Sequence, residues 1–333
     1  MTRLVVSGGA GFIGSTYVRV ALEARPADQI VVFDKLTYAG RRENLQEVAD
    51  RIEFIQGAIE DRHAVRDALE GADLVVNFAA ESHVDRSIAE QDAFAVTQVI
   101  GTGVLLDAVR ELGVTRFLQV STDEVYGSID EGTFTEESPL APSSPYSATK
   151  AGGDLLVQSH VHTHGVDAVI CRGSNNYGPR QYPEKLIPLM ILNALAGDPL
   201  PVYGDGRNVR NWIYAEDFAR AIDCVLMNGV AGEVYNAGGP DEVENLDVVG
   251  RILELTGRDE SLIKFVTDRK GHDRRYSLSS DKVRGLGWEP RMRFDAGLPA
   301  TVDWYRDNEW WWAPIRSGEY REYYERHYGL KLR

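Results

Sequence analysis

The 333-residue chain has only two cysteines, Cys171 and Cys224, and they stand far apart. That excludes a disulfide framework and any Cys-x-x-Cys metal site, and it suits a reducing compartment. Basic residues are also short: 36 Lys and Arg stand against 51 Asp and Glu, for a net charge of -15. Such acidity excludes a nucleic-acid partner and a polybasic membrane anchor, while leaving room for a local basic pocket around a small anion. Long apolar runs are missing too. The start, "MTRLVVSGGAGF", dissolves into glycines before a signal-peptide core can form. No uninterrupted apolar stretch reaches the ~18 residues of a membrane span. Repeats and low-complexity tracts are absent. The expectations are a cytoplasmic protein with no membrane anchor, no bound metal and a small-molecule partner.

What is present is alternation. "LVVSG", "IVVFD", "IEFIQ", "DLVVNFAA", "RFLQVS" and "DAVICR" are short β-branched runs separated by segments of helical length. Runs with so little polar alternation belong to strands covered on both faces, which predicts an α/β fold with a doubly wound parallel sheet. Val96, Val99, Ile100, Leu105, Leu106 and Val109 recur at helical spacing, a stripe for the core or a dimer contact, with the core favoured. After about residue 173 the rhythm gives way to loops rich in Gly, Pro and Asn. The expected division is a dinucleotide-binding unit over 1–173, with a return segment near 212–238, and a smaller α/β substrate-binding unit over 174–333. The latter is expected over the carboxyl ends of the strands, where open α/β sheets bind ligands. The tail around Trp310, Trp311 and Trp312 reads as a packed terminal segment without a functional role.

Three features carry chemistry. Gly8, Gly11 and Gly14 fall where the first strand turns into the first helix, so that backbone N–H groups and the helix N-terminus can approach a pyrophosphate. Asp34 closes the second strand twenty residues after Gly14, placed to accept from adenosine ribose hydroxyls and to repel a 2′-phosphate, which favours NAD over NADP. Tyr146 and Lys150 share one face of a helix that opens with "PYSATKAGG". Lowering a phenol by ~3 units requires about 4 kcal/mol of phenolate stabilisation, which an adjacent ammonium and a cationic nicotinamide ring can supply. Finally, "STDEVYG" sets Asp123 beside Glu124 where "RFLQV" ends. Neighbours on an extended strand point to opposite faces, so both carboxylates reach one ligand only if the chain bends there.

Over its whole length the chain resembles the extended short-chain dehydrogenase/reductases. Within them it is similar to the dTDP-glucose 4,6-dehydratases, through "GGAGFIGS", "LTYAG", "NFAAESHVDRSI", "STDEVYG", "PYSATKAG", "NNYGP", "PEKLIP", "YGDGRNVRNW" and "DRKGHDRRYSL" in that order. The resemblance implies a Rossmann-type sheet, NAD as cofactor, dTDP-glucose as substrate and a homodimer. It implies cofactor contacts from Gly8, Gly11, Phe12, Ile13, Gly14, Asp34, Lys35, Leu36, Thr37, Ile59, Phe78, Ala79, Ala80, Thr97, Tyr146, Lys150 and Asn176. As catalytic residues it implies Tyr146, Lys150 and Thr122 for oxidation at C4, Glu124 as the base at C5 and Asp123 as the acid at the C6 hydroxyl. For the nucleotide sugar it implies Ser82, Thr122, Asn175, Lys185, Leu186, Pro201, Val202, Tyr203, Arg210, Asn245, Arg269 and His272, with Arg210 foremost at the diphosphate. His83 and Asp85 read as structural.

Ser7, Ala58 and Gln98 depart from the family pattern, and an alanine at 58 cannot accept from the adenine amino group. UDP-sugar 4-epimerases and decarboxylases share the cofactor, tyrosine and lysine. An epimerase has no elimination for an Asp–Glu pair to serve, and a decarboxylase needs cations near C6 rather than acids. A non-enzymatic NAD-binding scaffold would be marked by loss of Thr122, Asp123, Tyr146 or Lys150, and all four are present.

Overall fold

The computed structural model describes residues 1–332. The six apolar runs form β1 (Arg3–Ser7), β2 (Gln29–Asp34), β3 (Ile52–Gln56), β4 (Leu74–Asn77), β5 (Arg116–Thr122) and β6 (Ala168–Gly173), all parallel. Between them lie α1 (Phe12–Ala24), α2 (Arg62–Leu69), α3 (Val84–Ala89), α4 (Asp92–Ala95), α5 (Thr102–Leu112) and α6 (Pro145–His164), with a π-helical segment, Val96–Gly101, joining α4 to α5. Pleating divides each strand between two cores. Leu4, Val6, Ile30 and Val32 pack on one face with Tyr17, Val18 and Ala21 of α1, whereas Val5, Val31 and Phe33 pack on the other with Val65 of α2 and Leu105 of α5.

The chain then runs through β7 (Asn175–Tyr177), α7 (Leu186–Ala196), β8 (Leu200–Tyr203), β9 (Val209–Tyr214), α8 (Ala215–Asn228), β10 (Val234–Ala237), β11 (Asp241–Glu244), α9 (Asn245–Thr256) and β12 (Ile263–Val266). It ends with α10 (Asp281–Arg284), α11 (Phe294–Asp307), α12 (Glu309–Trp312) and α13 (Glu319–Tyr328). Strand β10 joins the main sheet, giving seven strands in the order β10-β6-β5-β4-β1-β2-β3. Helix α8 covers the same face as α1, through Phe218 and Ile222. A separate core gathers Tyr177, Met190, Ile252, Leu298 and Trp311. Smaller sheets, β11-β9-β7 and β12-β8, complete the fold.

One expectation needs correction. Leu105, Leu106 and Val109 are fully buried, but Val96 is 37% and Ile100 55% exposed, so the stripe leaves the core at its N-terminal end. The π-helical segment, which packs along α6, thus turns Val96 and Ile100 outward, Leu155 of α6 is 54% exposed, and no described residue buries them. The continuous helical stretch Asp92–Leu112 is also long and apolar enough to cross a membrane by composition, with 50% of it inside the protein. In the tail, Trp311 is buried at 1% while Trp310 is 52% exposed, because a four-residue helix turns only one of its faces inward.

Candidate active site

The order of strands reverses between β1 and β4, and a cleft opens there at the carboxyl ends. Gly8 has φ +71° and Gly14 packs so closely that a Cβ on it would stand 2.3 Å from the Gly8 carbonyl oxygen. A Cβ at Gly8 would likewise stand 2.4 Å from Ala79 N, so a side chain at either position would force apart the tight turn that leads into the N-terminus of α1. Asp34 closes this cradle from β2. Its Oδ2 accepts from Ala10 N at 2.9 Å and its Oδ1 from Leu36 N at 2.8 Å. Burial raises its pKa and these two backbone bonds oppose that. A turn that only glycine allows, lining the cavity together with a buried carboxylate, fits the pyrophosphate and ribose of a dinucleotide such as NAD.

Deeper in the cleft, α6 delivers Tyr146 and Lys150. Its start follows from local sequence: Pro145 occupies the first turn, Ser144 Oγ accepts from Ser147 N at 3.1 Å, and Ser147 Oγ accepts from Ser144 N at 3.1 Å. Lys150 Nζ donates to the Val120 carbonyl at 2.6 Å, and burial lowers its pKa to about 8 against the pull of Asp154. The Tyr146 phenol is pushed up by burial, then by Glu124 and Asp123, with a hydrogen bond from Thr122 acting in the other direction. The expected lowering of the phenol by its lysine neighbour is therefore not met by the protein's own groups. The ammonium is held by a backbone carbonyl, and two carboxylates face the phenol.

Those carboxylates share the cleft because the chain bends. β5 ends at Thr122, and a 3-10 turn, Asp123–Tyr126, starts at the next residue, capped by Thr122 Oγ1 accepting from Glu124 N at 3.2 Å. Asp123 and Glu124 both line the cavity that Tyr146 and Lys150 line. Asp123 is 1% exposed and its Oδ2 has no hydrogen-bond partner among the described residues. Burial, with Glu124 adding to it and a Thr122 hydrogen bond opposing, raises its pKa to about 8. Burial also raises Glu124, but Arg269, Lys185 and Arg210 pull it back. Burial thus raises both acids, and on Glu124 the three cations oppose that rise without reversing it.

A second cavity adjoins the first, and Glu124, Asn175 and Lys185 line both. Arg210 lies at 5% exposure with Tyr276 4.3 Å beneath its guanidinium. Its Nη1 donates to the Val209 carbonyl at 2.8 Å and its Nη2 to the Asp273 carbonyl at 2.9 Å. Among the described residues no carboxylate forms an ion pair with it, so an anionic ligand would be its counter-ion. Nearby, His272 Nδ1 contacts Asp268 Oδ1 at 2.6 Å, and burial followed by Arg269 lowers its pKa to about 4. His83 caps α3, its Nδ1 accepting from Arg86 N at 3.4 Å, and burial lowers it to about 3. Lys185 Nζ donates to the Ser82 carbonyl.

Of the residues implied as catalytic, cofactor or substrate contacts, Leu36 and Val202 line neither cavity, and neither does Ala58. Leu36 packs against the core below α1, and Val202 is buried at 3% because pleating sends it away from its neighbours Pro201 and Tyr203. Other lining residues escaped the sequence reading: Glu81, Tyr182, Glu184, Trp212, Tyr276 and Tyr328. Glu184 and Tyr276 lie within segments already notable, "PEKLIP" and "DRKGHDRRYSL". Tyr328 has no local signal, since only tertiary packing brings α13 here. Among the described residues no cluster of metal-ligating side chains occurs.

A family model described as GDP-mannose 4,6 dehydratase matches residues 5–301. The low-salt glycan biosynthesis protein Agl12 of Haloferax volcanii is 54% identical, over 91% of this chain and 98% of its own. A dTDP-glucose 4,6-dehydratase of Streptomyces niveus is 50% identical, over 95% and 96%. Among solved structures, DesIV, a dTDP-glucose 4,6-dehydratase from Streptomyces venezuelae with NAD and TYD bound, superposes with a TM-score of 0.93 at 51% identity, covering 94% of this chain and 100% of that one.

Proposed function

The chain belongs to the GDP-mannose 4,6 dehydratase family, and from that premise we propose that it is an NAD-dependent hydro-lyase converting dTDP-glucose to dTDP-4-keto-6-deoxyglucose. The observation that carries this reading is the 3-10 turn after β5. It brings two acids into the cavity that Tyr146 lines, Asp123 held protonated and Glu124 with three cations working against its protonation. An elimination needs that division of labour, and a simple epimerisation does not.

NAD, held by the glycine turn and Asp34, would supply a reversible hydride acceptor for the oxidation at C4 and the reduction at C6. Tyr146 Oη would accept the proton of the 4-hydroxyl, with the Thr122 hydrogen bond steadying the phenolate and Lys150 adding charge nearby. The ketone at C4 acidifies the C5 proton. Glu124 would take that proton while Asp123 gives its own to the departing C6 oxygen, so that water leaves; as C6 is reduced, Glu124 would return its proton to C5.

The nucleotide would occupy the second cavity. Arg210, Arg269 and His272 would face its diphosphate, with Asn175, Lys185, Leu186, Pro201, Tyr203 and Asn245 around it. The sugar would then reach the first cavity past Glu124, Asn175 and Lys185. We place the boundary of the cofactor-binding unit at residue 173, with α8 and β10 returning to it. The uncovered apolar face of Val96, Ile100 and Leu155 supports a homodimer. The free thiols of Cys171 and Cys224 suit the cytoplasm.

Incubation of the protein with NAD and dTDP-glucose is expected to yield a product lighter by one water that shows the alkali-dependent absorbance of a 4-keto sugar. Turnover to an unchanged-mass epimer, or no product, would overturn the reading. Ile100→Glu is expected to convert the dimer to monomers in sedimentation.

A further inference from the structure

Beneath the turn that carries Asp123 and Glu124 lies a buried polar row for which the proposed chemistry has no direct use. Ser121, Arg172 and Asn236 stand at matched register on β5, β6 and β10, at 5, 2 and 0% exposure. Arg172 is its hub. Its Nε donates to Asp154 Oδ2 at 2.9 Å and its Nη1 to the Tyr126 hydroxyl at 2.7 Å. Ser121 Oγ donates to the same Asp154 oxygen at 3.0 Å, and the Tyr126 hydroxyl donates onward to Asn236 Oδ1 at 2.9 Å. A buried ion pair is a poor source of stability, because the loss of hydration of two charges offsets most of their attraction, and apolar side chains of similar volume do as well. Such a network is better suited to fixing geometry.

Its two ends are what matter. Asp154 lies on α6, one turn beyond Lys150 and two beyond Tyr146. Tyr126 is the last residue of the 3-10 turn. Lys150 grips the Val120 carbonyl and Asp154 the Ser121 hydroxyl, so α6 is pinned to two successive residues of β5 directly before Thr122. Arg172 extends that hold, across β6, to the far side of the turn.

We propose that Arg172, bridging Asp154 to Tyr126, is a positioning residue. It locks the turn bearing Asp123 and Glu124 to the helix bearing Tyr146 and Lys150, so that the acid–base pair and the phenol address one sugar at fixed spacing. The inference rests on the dehydratase reading above. It predicts a defect specific to water loss, since Tyr146 and Lys150 stay in place when the far end of the turn loosens.

Tyr126→Phe removes one hydroxyl and keeps the ring. In single turnovers of the NAD-loaded enzyme with dTDP-glucose, C4 oxidation is expected at near the wild-type rate. Water loss is expected to slow on the order of ten- to a hundredfold, the scale set by small misplacements of reacting groups. Reduced cofactor should then accumulate in its near-ultraviolet absorbance, with KM little changed. Arg172→Lys keeps a charge for Asp154 but not the second donor, and should reproduce the defect. Equal slowing of both steps, wild-type kinetics in either variant, or loss of fold in both makes the network purely structural and overturns the proposal. Wild-type enzyme run alongside separates the two readings. No 4-keto product there defeats the dehydratase assignment as well, whereas wild-type turnover without a step-specific defect in the variants defeats only the positioning role.

Discussion

Asp123→Asn should stabilise the cofactor-free protein while disabling it. Burial and the Glu124 charge hold Asp123 at about 8, against an ordinary 3.8. Near neutral pH the unfolded chain leaves this carboxyl ionised and the folded chain binds its proton, so folding must protonate it. At pH ~7 that costs roughly three units at ~1.4 kcal/mol each, about 4 kcal/mol. The sign follows directly. Because the folded pKa is raised, this group's drag on stability is absent below about pH 4, grows by ~1.4 kcal/mol per unit as pH rises, and levels off above about 8. Asparagine has the same shape and no proton to bind. Relaxation around the site reduces such figures two- to threefold, leaving a gain of ~1–2 kcal/mol near neutrality, or a rise in Tm of a few degrees. Thermal unfolding of wild type and variant from pH ~5 to ~8 should show the two Tm curves diverging as pH rises. A difference that does not change with pH, or a variant less stable than wild type at neutral pH, would refute the protonated-acid argument. Supplied with NAD and dTDP-glucose, the same variant should oxidise C4 and then stall with reduced cofactor accumulated.

Gly14→Ala sets a methyl 2.3 Å from the Gly8 carbonyl oxygen, so NAD binding should be lost and stability should fall by ~1–3 kcal/mol, read by titration and thermal melts. Ala58→Asp should tighten NAD on the order of tenfold by supplying an acceptor for the adenine amino group; equal or weaker binding in calorimetry counts against that placement. Arg210→Lys loses the planar fork that spans two carbonyls above Tyr276, so KM for dTDP-glucose should rise roughly ten- to a hundredfold with NAD affinity unchanged. A fall in kcat alone would move Arg210 away from the nucleotide.

Much of this protein was determined by sequence alone. Five of the six β-branched runs became parallel strands because a strand covered on both faces has no room for polar alternation, while the sixth, β3, alternates and forms one edge of the sheet. The glycine turn and Asp34 were legible for the same reason: each answers a local demand, close backbone approach or a carboxylate at a strand end. The ordered motifs carried the family, which the comparisons bear out over most of the chain. Tertiary structure decided the rest. Whether Asp123 and Glu124 share a cavity depended on a turn beginning one residue after β5, and a strand pattern does not show where it stops. The Tyr146 phenol is pushed up rather than down because packing buries it, with Glu124 and Asp123 on the turn after β5 adding to that. Val202 turns to the core, Val96 and Ile100 turn out, and Tyr328 arrives from the far end of the chain. Arg172, an ordinary strand residue by pattern, became a hub because β5, β6 and β10 align three polar side chains in one row. Local sequence encodes what a residue does to its own backbone and its neighbours within a turn. Which distant groups surround it, and so its burial, its charge state and its partners, is set only when the chain is packed.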